Sequence, residues 1–78
     1  ISQSVIEARF KTGLKASETG DFRDAIYIFQ TILANDPSLT RVRLELARAF
    51  FLAEQWDRSR TEFFKVLSGD IPALSSPT

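Results

Sequence analysis

Shifted by 34 residues, the chain falls into register with itself. Arg9 aligns with Arg43, Phe29 with Phe63, Leu33 with Leu67 and Asp36 with Asp70. Residues matched in size follow: Gly13 with Ala47, Phe22 with Trp56, Ala25 with Ser59, and Ile32 with Val66. Small residues recur where two helices would approach closely, and aromatic residues recur where a wedge is needed. A repeat of this period is one supersecondary unit that cannot bury its apolar face alone, so copies must stack. The fold is thereby restricted to a short array of like units.

Each unit reads as a helical hairpin, because apolar residues recur at spacings of three and four and strand alternation is absent. Four helices are predicted: about Ser4 to Thr19, a second ending near Ala34, about Leu39 to Ala53, and about Asp57 to Leu67. Gly20 stands where a left-handed residue ends the first helix. Asp21 is expected to cap the second helix, with Asp24 favouring its positive end. Asn35-Asp36-Pro37 stops that helix, and Gly69-Asp70-Ile71-Pro72 stops the fourth. Residues 73–78 form a tail or the start of a fifth helix. Connections this short make the helices antiparallel neighbours, so the fold class is all-α. The expected core runs through Phe29, Ile32 and Leu33, then Val42, Leu46, Ala49, Phe50 and Ala53, with Phe63, Val66 and Leu67 closing the last layer.

These landmarks together resemble the tetratricopeptide repeat. In the first unit the matching residues are Gly13, Gly20-Asp21-Phe22, Ala25-Ile26, Phe29, Leu33 and Asp36-Pro37. In the second they are Leu46-Ala47, Phe50, Trp56, Phe63 and Val66-Leu67. Ser59 replaces the usual Ala, Glu54-Gln55 stands where Gly-Asp is typical, Ile71 takes the proline position, and Arg9 replaces a large aromatic. The resemblance covers about residues 6 to 72, with one unit at about 6–39 and the other at about 40–72. It implies two helix-turn-helix units in a right-handed solenoid whose first helices line a concave surface.

On that surface the spacing places Glu7, Phe10, Leu14, Ser17 and Glu18, then Arg41, Leu44, Arg48, Phe51 and Leu52. The groove is largely apolar, with arginines beside it. Family members that capture chaperone C-termini use a Lys and Asn clamp for the terminal carboxylate, and Phe10, Leu14, Leu44 and Arg48 do not reproduce it. An amphipathic or hydrophobic protein segment suits this groove better. The alternative is a structural spacer whose groove is covered by other parts of its own protein.

Composition narrows the chemistry. Ten basic and ten acidic side chains cancel, leaving no global field for nucleic acid or an anionic membrane. Arg41 and Arg48 share a helical face and Arg43 lies on another; with Arg58 and Arg60 they are interspersed with Glu45, Glu54, Asp57 and Glu62, which predicts a solvated, salt-bridged face rather than a basic patch, with Glu45 pairing Arg41 and Arg48. The chain has no His and no Cys. The usual general base, the usual metal ligands and thiol nucleophiles are therefore missing, and neither an enzyme nor a cofactor or metal site is expected. No apolar run nears the roughly 20 residues needed to cross a bilayer, so direct membrane insertion is not expected. The chain begins with Ile and contains no Met, and is expected to be part of a longer product. Two units are also fewer than the three or more usually needed for stability. Self-association through open solenoid ends follows as an expectation.

A narrower resemblance lies in Asp36 to Leu52 and in Phe63 to Pro72. Both stretches look like the repeat region of surface lipoprotein assembly modifiers, bacterial outer-membrane proteins with a periplasmic repeat domain and a β-barrel. That resemblance implies a periplasmic location (the alternative being cytoplasmic) and a partner that is a lipoprotein or the barrel's own plug.

Overall fold

The computed structural model describes residues 2–68, which form four helices. They are α1 (Gln3–Glu18), α2 (Phe22–Asn35), α3 (Thr40–Leu52) and α4 (Trp56–Ser68). Each helix packs on the next, and α1 also touches α3, whereas among the described residues α2 does not reach α4. The chain therefore curves, with α1 and α3 on the inner radius and α2 and α4 splayed outside. This is the all-α pair of helical hairpins that the 34-residue offset required. The closing Gly69-Asp70-Ile71-Pro72 and the tail or fifth helix over 73–78 lie outside the described residues.

The turns show how the repeat is built. Both hairpins end their first helix with the same pair of backbone bonds. Gly20 N–H donates to the Ser17 carbonyl and Asp21 N–H to that of Ala16; Glu54 N–H donates to Phe51 and Gln55 N–H to Phe50. This arrangement needs a left-handed residue, and Gly20 (φ 87°) supplies it without a Cβ penalty. Its 34-residue equivalent is Glu54, forced to φ 63°. A non-glycine residue there carries about 1 kcal/mol of strain. Glu54→Gly is therefore expected to raise stability by about 1 kcal/mol, measured by urea denaturation. An unchanged or lowered midpoint would contradict that account of the turn.

Other helix ends depart from expectation. Asp21 occupies the N-cap position of α2, but its side chain makes no capping hydrogen bond. Its carboxylate instead faces Asp24, and this hydrogen bond and like charge hold the Asp24 carboxyl above its ordinary range. At α1 the capping residue is Ser2, whose hydroxyl accepts from Val5 N–H at 3.3 Å. Asp36 ends α2 as expected, and its carboxylate accepts from the Ser38 hydroxyl (2.6 Å) and the Ser38 N–H (3.1 Å). Those two bonds hold the Asp36 carboxyl below its ordinary range.

The core lies between the two units. Ala25, Ile26, Phe29, Ile32 and Leu33 of α2 meet Val42, Leu46, Ala49 and Phe50 of α3, all buried. Phe29 and Ile32 are the largest fully buried side chains. Gly13 is small for a reason: a Cβ there would sit 2.6 Å from Phe29 Cε1. In the second unit Ala47 takes that place, and the buried Ser59 hydroxyl donates to the Ala47 carbonyl at 2.9 Å. The expected last layer does not close. Phe63 and Val66 are only half-buried, while Leu67 is 84% exposed and Phe64 67%. Among the described residues no helix packs on the outer face of α4.

Candidate functional site

The concave surface is built where α1 and α3 converge. Phe10 forms its floor: its ring lies 5.8 Å from that of Phe29 on one side, and the Arg41 guanidinium sits 5.5 Å above it on the other. Around this pair opens a cavity of about 350 Å³ lined by Ile6, Glu7, Leu39 and Val42 among others. Of the residues expected on the groove, Glu7, Phe10 and Arg41 share this cavity. Leu14, Ser17, Leu44, Arg48 and Phe51 do not line it, although they lie on the same two helices. Leu14 is half-buried and packs against the core, so it braces the groove. Ser17 and Leu44 are half-buried as well.

Phe51 lies at the other end of α3 and is 54% exposed, with its ring 5.1 Å from that of Trp56 in an edge-to-face arrangement. The two rings make a second, aromatic patch (Trp56 52% exposed), and Leu52, next to Phe51 in the chain, is 44% exposed. Sequence spacing placed Phe51 and Leu52 on the surface but missed Trp56, which belongs to the next helix and joins them through the α3–α4 turn.

The charges follow a simple pattern. Glu45 is nearly buried and holds Arg41 at 3.6 Å and Arg48 at 3.5 Å, as the helical spacing implied. One carboxylate thus serves two guanidiniums, and both arginines keep most of their surface in solvent (69% and 61%). Arg41 can donate to an incoming acidic group without losing its seat on Phe10. Arg43 lies on a different face of α3 from Arg41 and Arg48, as its spacing implied, and that face is not solvated. Its guanidinium is turned inward, 2.8 Å from Glu62 and 3.1 Å from the Pro37 carbonyl. Glu62 also pairs with Lys65 at 3.7 Å, and Arg60 with Asp57 at 3.9 Å on the surface.

Two curved helical hairpins, joined by an apolar seam and offering a groove on the inner radius, define a helical-repeat binding scaffold. The chain belongs to the tetratricopeptide repeat family, whose model matches residues 16–68. That match runs from the last turn of α1 to the end of α4, so Glu7, Phe10 and Leu14 precede it. No curated protein and no solved structure matches the chain. Repeats of this family generally mediate contacts between proteins and are non-catalytic interaction modules. Among the described residues no group of three or more acidic side chains is placed to hold a metal ion, and no helix is long and apolar enough to cross a membrane.

Proposed function

We propose that the groove between α1 and α3 captures a protein segment that carries apolar side chains next to an acidic group. The observation that supports this is the Arg41 guanidinium stacked on Phe10 at the mouth of the 350 Å³ cavity. The cavity takes an apolar side chain, Arg41 meets the acid, and Phe51 with Trp56 extends the contact along α3. Truncating a central aromatic or arginine anchor typically weakens an interface by 2 kcal/mol or more, about thirtyfold.

The test uses a peptide selected on the immobilised chain from a displayed random library. Arg41→Glu combined with Phe51→Glu is expected to weaken its binding by at least about thirtyfold. Both positions are exposed, so the circular dichroism spectrum should stay helical. Equal binding by the double variant would refute the groove. Failure to select any segment would favour the spacer reading instead.

The likeness of Asp36 to Leu52 to lipoprotein assembly modifiers supports a finer proposal. The chain works in the periplasm, in outer-membrane or surface lipoprotein assembly, and its partner segment belongs to a lipoprotein or a barrel plug. Recovery of the full-length protein from the cytoplasmic fraction would overturn this location. The open ends of the solenoid form a separate surface through which chains associate.

A further inference from the structure

The three most exposed large apolar side chains among the described residues sit at the two ends of the solenoid. Tyr27 (67%) faces the first end, and Phe64 (67%) and Leu67 (84%) face the last. At the first end Tyr27 borders a cavity of about 500 Å³, larger than the one in the groove, lined by Val5, Ala8, Arg9, Thr12 and Ile28 among others. We propose that this cavity receives α4 of a second copy of the chain, head to tail, with Phe64 entering it. The proposal rests on the reading that the open ends associate, and not on what the concave groove binds.

The 34-residue offset supplies the register. Within one chain, α2 lies on α3, and Gln30 projects into the wedge beside Phe50, Thr61 and Glu62. Moving one unit along, α4 takes the place of α2, and Phe64 takes the place of Gln30. The residues it would meet are the equivalents of Phe50, Thr61 and Glu62, namely Ala16, Tyr27 and Ile28. The wedge is also lined by Asp57 and Arg58, whose equivalents Arg23 and Asp24 keep a charged pair with its signs exchanged, while Gln30, Thr61 and Glu62 all give way to less polar residues. The internal wedge sets a polar Gln beside Thr and Glu, whereas the end-to-end contact sets Phe beside Tyr and Ile.

Size compensates in the same way. Val42 and Leu46, which fill the internal seam, correspond to Ala8 and Thr12, and the smaller pair leaves the cavity that a phenylalanine ring would fill. Leu67 would repeat the place of the buried Leu33. A contact between two different faces is heterologous, and it builds open chains or rings rather than a closed symmetric dimer.

Sedimentation of the full chain over about a hundredfold range of concentration tests this by mass action. Two variants remove one face each: Phe64→Glu with Leu67→Glu, and Ala8→Glu with Tyr27→Glu. All four positions are exposed, and circular dichroism confirms folding. The mean mass of the unaltered chain is expected to rise with concentration, while each variant alone stays a monomer. An equimolar mixture of the two should form a dimer and nothing larger, because one intact copy of each face remains. An unaltered chain that stays monomeric throughout would overturn both the open-end association and this register. Association of either variant by itself, or a mixture that stays monomeric, would overturn the head-to-tail register alone.

Discussion

Replacing Phe29 by Ala is expected to destabilise the chain by about 3–5 kcal/mol. Phe29 has no solvent exposure and packs directly on the backbone of Gly13, with the Phe10 ring beside it. The cavity would open where α1 meets α2, and α1 has only α2 and a lighter contact with α3 to hold it. A domain of this size has a stability of only about 5 kcal/mol, so little or no folded chain should remain. Urea denaturation at low temperature, followed by circular dichroism, reads the effect. Phe63→Ala is the control: its equivalent ring is only half-buried, and a loss of about 1–2 kcal/mol is expected. Equal losses at the two sites would show that the layer at α4 is packed as tightly as the core around Phe29. Gly13→Ala adds a coupling test. It should strain the intact chain by about 1–3 kcal/mol yet stabilise the Phe29→Ala chain, where the opposing ring is gone and only the helix preference of Ala is left.

The second large effect belongs to Arg43. Its side chain and that of Glu62 are only 12% and 14% exposed, so removing the guanidinium strands a poorly solvated carboxylate and frees the Pro37 carbonyl. Lys65 lies within 3.7 Å of Glu62 and offsets part of the loss. Arg43→Ala is therefore expected to lower stability by about 2–4 kcal/mol, somewhat below the value for a fully buried pair. Arg9 is the same residue one repeat earlier, but Ile28 stands where the repeat would have placed its acidic partner. Arg9 is exposed, and Arg9→Ala should change stability by less than about 0.5 kcal/mol. Denaturation midpoints for the two variants check the contrast. Comparable losses would mean that the Arg43–Glu62 pair has no special structural weight.

These two residues also show where sequence reading succeeds and where it stops. The 34-residue offset found the hairpins because helix packing repeats its small and large residues, and Gly13 against Phe29 carries that logic into the core. Gly20 was legible because its backbone conformation excludes most side chains. Glu54 shows that the same turn forms even when the favoured residue is missing. The Arg43–Glu62 pair was hidden, since it depends on the relative rotation of two helices rather than on spacing along one. Helical spacing did find Glu45 between Arg41 and Arg48, where all three share α3.

At Asp21 the N-cap position was legible, but not the missing side-chain cap, because that depends on which way the carboxylate turns beside Asp24. The last layer was misread for a different reason. Leu67 has the pattern of a core residue, but the element that would bury it is not among the described helices. In the groove, spacing identified the two helices and could not separate Phe10, which floors a cavity, from Leu14, which braces it.

Under the proposed function, the inner radius of the solenoid, between α1 and α3, is the surface that takes a protein segment. The most direct measurement is backbone amide chemical-shift mapping of the full chain, titrated with the library-selected peptide. The largest shifts are expected to cluster at Glu7, Phe10, Arg41 and Phe51 and to extend to Trp56. Shifts confined to the outer surfaces of α2 and α4 would contradict that expectation.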